Sequence, residues 1–201
     1  MKSTLPVLGL VGGIGSGKSY IASLFAMRGA IVLDADKFGH EALLQPAIKE
    51  KIKANWGDAV FGTDGEVDRK ALGHRVFSKA EEKLKLEGLV FPYIGQAIKQ
   101  ALELAEKNPD IKLAILDAAI LLETGWKEHC SAVIFVDASL PVRLQRVAKR
   151  GWSAEELYRR EATQWPLEQK KSASQHIIPN EGDEVFTERL VNDLINRYSR
   201  Q

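Results

Sequence analysis

Residues 12–19 read Gly12-Gly-Ile-Gly-Ser-Gly17-Lys18-Ser19. They satisfy the pattern G-x-x-x-x-G-K-S/T. Glycines let the main chain turn tightly, so that successive N–H groups point inward at one set of anionic oxygens. The apolar run Leu5–Val11 comes before the loop and shows no alternation. That is the mark of a strand covered on both faces, as in a parallel sheet. Behind the loop, Ile21, Leu24, Phe25 and Arg28 fall at i, i+3, i+4 and i+7. A helix is therefore expected from near Gly17 to about Arg28. Its positive end would face the same anion. Lys18 is placed to reach β- and γ-phosphates, and Ser19 offers a hydroxyl to Mg²⁺. Gly13, Ile14, Gly15, Ser16, Gly17, Lys18, Ser19 and the adjoining Tyr20 are the candidate nucleotide contacts. At average composition the pattern arises by chance in roughly one chain of this length in a hundred. The flanking strand and helix lower that figure further. The loop implies a bound nucleoside triphosphate and leaves its fate open.

Working outward, Ala30–Leu33 reads as a second strand ending in Asp34-Ala35-Asp36. Residues 36 to about 108 are expected to be mainly helical, with turn signals at Gly62–Gly65 and an N-cap at Asp68. A break, or a new first turn, is expected at Pro92. Ile111–Leu116, Ala132–Val136 and His176–Ile178 read as further strands. Ser139 and Pro141 open a helix to about Arg150, and Ser153 with Glu156 forms a capping box. Asp183 caps a final amphipathic helix. Strands alternating with helices imply an α/β fold, a doubly wound parallel sheet of about five strands. The expected organisation is one domain over 1–201. Its core is about 1–35, 110–150 and 173–201, with a helical substrate-side insertion at about 36–109 and a helical lid at about 151–172.

The 201 residues are 45% hydrophobic and 27% charged, which suits a folded globular chain. Lys and Arg number 28 against 27 Asp and Glu, so the basic excess of a general nucleic-acid binder is missing. One cysteine, Cys130, excludes a disulfide framework and points to a reducing compartment, with the cytoplasm expected. No apolar run approaches the ~20 residues that a bilayer span needs. Neither nucleic acid nor membrane is expected as a partner.

A guanine-reading Asn/Thr-Lys-x-Asp element is missing, and motor or ring ATPases are usually larger, so a single phosphate loop in a short chain favours a small-molecule kinase. Asp36 follows the second strand, and strand C-termini in such sheets face the ligand crevice. A carboxylate there can take the proton of an attacking hydroxyl. Asp34 lies two residues earlier, so strand alternation puts it on the same side as Asp36. The alternative is that Asp34 caps the next helix and Asp36 is a solvated acid. Leu116-Asp117 ends the third strand in the manner of a Walker B element, which would put Asp117 near Mg²⁺, through a water. Residues 141–171 hold eight basic and four acidic side chains, a local +4 that suits a lid closing on a triphosphate. An exposed basic helix is the plainer alternative.

With these residues in place, the chain resembles the dephospho-coenzyme A kinase family along most of its length. The resemblance rests on Gly9-Leu-Val-Gly-Gly-Ile-Gly-Ser-Gly-Lys-Ser19, on Asp34-Ala-Asp36, and on Gly57, Asp64-Gly65, Asp68-Arg69, Leu72 and Val76-Phe77. It continues in Leu121-Leu122-Glu123-Thr124-Gly125, Arg160 through Gln164, Asn180 and Gly182. It implies transfer of the ATP γ-phosphoryl group to the 3′-hydroxyl of the dephospho-coenzyme A ribose, the last step of coenzyme A synthesis. By matching position Asp36 would be the base, Lys18 the γ-phosphate contact, and Arg146 and Arg160 lid cations. Arg150 and Asn180 would join the nucleotide site. Asp36, His40, Arg69, Phe91, Leu121 and Glu123 would meet the acceptor.

The chain departs from the family pattern at Phe91-Pro92, where His-Pro is usual, and at Ala118-Ala119, where an apolar residue and Pro are usual. It departs again at Ser174-Gln175, in place of Ala-Asp, and at Tyr20, in place of Thr. Two other readings stand beside this one. One is a shikimate- or gluconate-type kinase, although no Gly-Gly-Gly element occurs. The other is a nucleotide-binding sensor without turnover.

Overall fold

The computed structural model of the chain describes residues 4–76 and 79–200. Its five strands are β1 (Val7–Gly12), β2 (Ala30–Asp34), β3 (Leu113–Asp117), β4 (Ala132–Asp137) and β5 (His176–Pro179). They form one sheet in the order β2-β3-β1-β4-β5, with every pair parallel. β1 is buried along its whole length, as its unalternating sequence requires of a strand covered on both faces. The nine helices are α1 (Lys18–Ala26), α2 (Ala35–Leu43), α3 (Pro46–Trp56), α4 (Arg69–Val76), α5 (Ala80–Glu106), α6 (Leu140–Ala148), α7 (Ala154–Glu161), α8 (Leu167–Ser172) and α9 (Glu184–Tyr198), counted among the described residues.

Two compact units divide these residues, one within Met1–Asp34 and Ala101–Gln201, the other within Ala35–Gln100. The first contains the sheet. Leu8 and Leu10 of β1, Ile115 of β3 and Ile134 of β4 pack with Ile21 and Phe25 of α1 and Val191 of α9, all at 0% exposure. Burying each of these large side chains is worth ~1.5–3 kcal/mol. That packing fixes α1 against the sheet and so aims its N-terminus. Ser153 caps α7 by accepting from the Glu156 N–H, and Asp183 caps α9 by accepting from the Phe186 N–H, as their sequence positions suggest.

The second unit has its own core of Ala42, Ile48, Ile52, Trp56, Leu72 and Val76. Asp68 Oδ1 accepts from the N–H groups of Lys70 (2.9 Å) and Ala71 (3.0 Å), which starts α4. Phe77 lies outside the described residues. The expected break at Pro92 does not occur, because α5 runs unbroken from Ala80 to Glu106 with the proline inside it. Pro92 removes one hydrogen bond, the one that would reach Gly88 four residues back. Leu86, Leu89, Val90 and Tyr93 lie on both sides of it and pack on the same core. Tertiary packing of that stripe outweighs a local cost of ~3 kcal/mol.

The shared strand face expected for Asp34 and Asp36 is also corrected. β2 stops at Asp34, and Asp36 is the second residue of α2. Strand alternation therefore does not relate the two carboxylates.

Candidate active site

The loop between β1 and α1 is shaped by two glycines in the left-handed region, Gly15 (φ 80°) and Gly17 (φ 90°). A Cβ on Gly17 would lie 2.1 Å from Asn180 Nδ2, and one on Gly15 would lie 2.8 Å from the Arg143 carbonyl. Only glycine fits at either position. The loop's carbonyls are tied back from outside. Arg146 Nη1 donates to Ser16 O (2.9 Å) and Gly15 O (3.3 Å), and Asn180 Nδ2 donates to Ser16 O (2.7 Å). Arg146 Nη2 also donates to Asn180 O (2.6 Å). Inside the loop the Ser16 N–H donates to Gly13 O (3.0 Å), so the turn is closed on itself as well as braced from outside. Ser16 is 1% exposed, and its Oγ has no hydrogen-bond partner among the described residues. A glycine cradle at a helix N-terminus, with an orphaned hydroxyl in its wall, fits a polyphosphate.

Lys18 opens α1, and its Nζ lies 3.7 Å from Asp117 Oδ1. Asp117 ends β3, in register with Leu10 of β1 and Asp34 of β2. The sheet thus brings the loop's cation and the Walker B-like carboxylate together at the carboxyl ends of its strands. Ser19 is exposed one residue further on. A hydroxyl and a carboxylate are a sparse, all-oxygen donor set. That sparseness suits Mg²⁺, which keeps several waters and takes its remaining ligands from phosphates.

Beside the loop lies a cavity of about 310 Å³ lined by Gly17, Tyr20, Arg146, Arg150, Asn180 and the Glu181–Glu184 turn. Three of the residues expected at the nucleotide site, Tyr20, Arg150 and Asn180, therefore share one wall with Gly17, and the expected lid cation Arg146 joins them. Glu181 accepts from the Ser139 N–H, a bond that holds its carboxyl below the ordinary range.

Arg160 is held elsewhere in this structure. Its Nε donates to Glu156 Oε1 (2.6 Å), and its guanidinium lies 4.1 Å above the Trp152 ring. Leu121 is fully buried, with Cδ1 2.6 Å from where a Gly9 Cβ would stand, so it packs under β1. Glu123 accepts from the Trp165 N–H (2.7 Å) and lies 3.1 Å from Lys170 Nζ. Asp36, His40 and Arg69 are exposed and Phe91 is half-buried, all four in the Ala35–Gln100 unit.

Sequence reasoning missed two buried charged side chains, Arg143 and Lys170. Arg143 stands one turn before Val147 on the buried stripe of α6. A cation in an apolar stripe calls for a counter-ion, and that was the available signal. The departures from the family pattern at residues 119 and 175 have structural work to do. The Ala119 carbonyl accepts from Lys170 Nζ (2.8 Å), a role that needs no particular side chain. Gln175 Oε1 accepts from the Val133 N–H (2.8 Å), which closes the sheet beside β5.

A parallel sheet of this order, with a phosphate loop at its central strand, has the fold of the phosphate-loop kinases. A family model described as dephospho-CoA kinase matches residues 6–185. A dephospho-CoA kinase of Methylococcus capsulatus is 35% identical over 96% of both chains. One from Geobacter sulfurreducens is 33% identical over 94% of this chain and 96% of its own. A crystal structure of a Thermus thermophilus protein superposes with a TM-score of 0.85 at 33% identity, covering 96% of this chain and 97% of that one. The dephospho-CoA kinase of Campylobacter jejuni shares the fold, with a TM-score of 0.62 at 21% identity over 97% and 98% of the two chains. The chain belongs to the dephospho-CoA kinase family.

Proposed function

We propose that the protein transfers the γ-phosphoryl group of ATP to the 3′-hydroxyl of the dephospho-coenzyme A ribose, giving coenzyme A and ADP in the cytoplasm. The observation that carries this reading is the tied-back loop. Arg146 and Asn180 hold its carbonyls away from the cradle that Lys18 flanks. Phosphoryl transfer is mostly positioning and charge stabilisation, so a preformed cradle is the main requirement.

In this reading Lys18 leaves Asp117 to meet the γ-phosphate, and the N–H groups of Gly15, Gly17, Lys18 and Ser19 hold the β-phosphate, since those of Ile14 and Ser16 are taken by Glu161 and Gly13 O. Ser19, and Asp117 through a water, would hold Mg²⁺, which would supply charge neutralisation to the phosphates. The nucleoside takes the 310 Å³ cavity against Tyr20, Arg150 and Asn180. Asp36 accepts the proton of the acceptor hydroxyl, and His40, Arg69 and Phe91 of residues 36–109 bind the acceptor. Leu121 and Glu123, in the turn after β3, border the acceptor. Arg160 enters only if the lid, residues 151–172, releases it from Glu156.

The test is a product assay with ATP, Mg²⁺ and dephospho-coenzyme A, beside shikimate and gluconate. The expected product carries one added phosphate on the ribose 3′-oxygen by mass and phosphorus NMR. ATP consumption with another acceptor, and none with dephospho-coenzyme A, overturns the assignment. Nucleotide binding without any phosphorylated product overturns the enzyme itself.

A further inference from the structure

Ile14 lies in the middle of the phosphate loop, and both of its backbone groups are gripped by side chains from distant helices. Its N–H donates to Glu161 Oε1 (3.0 Å), and its carbonyl accepts from Arg143 Nη1 (3.4 Å). The same two atoms, Arg143 Nη1 and Glu161 Oε1, are hydrogen-bonded to each other. Arg143 comes from α6, and Glu161 is the last residue of α7. Their side chains are 7% and 19% exposed, so water screens the pair poorly. Gly13 makes room for it, since a Cβ there would lie 2.7 Å from Arg143 Nη1 and 3.1 Å from Glu161 Oε1.

This arrangement differs from the bracing by Arg146 and Asn180, which reaches only carbonyls. Here a carboxylate holds one N–H of the loop and a guanidinium holds the carbonyl of the same residue. The orientation of the peptides flanking Ile14 is thereby fixed at both ends. A buried cation on α6 and an acid at the end of α7 have little reason to meet at this point unless the loop is what they hold. Removing either would leave the other buried without its partner, a strong coupling between lid segment and loop.

We propose that Arg143 and Glu161 are a positioning pair. They lock the phosphate loop in its ATP-ready shape and make that shape depend on the docking of α7. The proposal rests on the reading of this loop as the triphosphate site, and it is independent of which acceptor is used.

The test measures ATP affinity by calorimetry without acceptor, and then kcat and KM with dephospho-coenzyme A, for Glu161→Ala, Glu161→Gln, Arg143→Met and the double variant Arg143→Met/Glu161→Ala. Losing a charge-assisted bond predicts ATP binding weakened roughly ten- to a hundredfold in Glu161→Ala. Glu161→Gln keeps an acceptor for the Ile14 N–H and is expected to lie between Glu161→Ala and the parent. The double variant is expected to be no weaker than the worse single one, because the two side chains act as a unit. KM for dephospho-coenzyme A should stay within about twofold, as neither side chain is assigned to the acceptor. ATP affinity unchanged in folded Glu161→Gln and Arg143→Met, with only the melting temperature lowered, overturns the proposal. Tighter ATP binding in the Glu161 variants also overturns it, because the carboxylate would then be competing with phosphate and not holding the loop. A parent protein that binds ATP but does not phosphorylate dephospho-coenzyme A sinks the acceptor assignment alone, and the affinity comparison still decides the pair.

Discussion

Lys170 Nζ lies 3.1 Å from Glu123 Oε1, with the lysine side chain wholly buried. The ammonium also donates to Ala119 O (2.8 Å) and Gln164 Oε1 (2.9 Å), so all three of its protons have an acceptor. Burial pushes its pKa below the ordinary lysine range, and the Glu123 carboxylate beside it pulls the other way. The cluster bolts α8 to the turn after β3. Breaking a buried pair by removing one partner strands the other charge, at a cost of about 3–5 kcal/mol. Lys170→Met is therefore expected to lose about that much stability, read from urea unfolding. Lys170→Met/Glu123→Leu should recover part of it. A single variant with an unchanged midpoint would show that the bolt holds nothing.

Arg146 supports the loop through two of its carbonyls, donates to Asn180 O as well, and also lines the neighbouring cavity. Truncating it frees those carbonyls and removes part of the wall of the cavity proposed to take the nucleoside. Each hydrogen bond from a charged donor is worth ~1.5–3 kcal/mol. Arg146→Ala should weaken ATP binding by roughly ten- to a hundredfold even without acceptor. An ATP affinity equal to the parent's, with only kcat lowered, would return Arg146 to the role of a cation that meets charge in the transition state alone.

The phosphate loop was legible because it is local. Gly12 to Ser19 carry their own geometry, and the unalternating Leu5–Val11 run already marks a buried strand. The caps at Asp68, Ser153 and Asp183 were legible for the same reason, since a side chain bonding an N–H two or three residues on needs no tertiary context. Pro92 was misread because the stripe of Leu86, Leu89, Val90 and Tyr93 gains its stability from a core built by residues 42–76. Asp36 was placed on a strand because nothing in Asp34-Ala35-Asp36 marks where β2 gives way to α2. Long-range pairs were the least legible. Arg143 and Glu161 are 18 residues apart and Lys170 and Ala119 are 51 apart, and only the folded sheet brings each pair together.

Asp36 sits in the first turn of α2, two residues beyond the end of β2. As a general base it would act on the acceptor hydroxyl and leave the triphosphate contacts alone. Asp36→Asn keeps the size and removes the proton acceptor. It should lower kcat by about 10²–10⁴, the usual span for losing a general base, with ATP affinity nearly unchanged. Single-turnover kinetics and calorimetry check the two halves separately. An unimpaired kcat removes Asp36 from the mechanism.

His176 begins β5, and its Nε2 lies 2.8 Å from the Tyr198 hydroxyl of α9, the two rings meeting edge-on at 5.5 Å. Partial burial holds its pKa below the usual histidine value, and the neighbouring Arg197 guanidinium adds to the effect. The unfolded chain, with an ordinary histidine pKa of about 6.5, therefore takes up the proton first as pH falls. The stability from keeping this ring neutral is whole above about pH 6.5 and is lost as pH falls from there through the folded value. The melting temperature should drop between about pH 7.5 and about pH 5.5. His176→Gln, which can still reach the hydroxyl but cannot titrate, should show a smaller drop. Circular dichroism melts at both pH values give the comparison directly. If parent and variant fall by the same amount, this histidine takes no part in the acid sensitivity of the sheet edge.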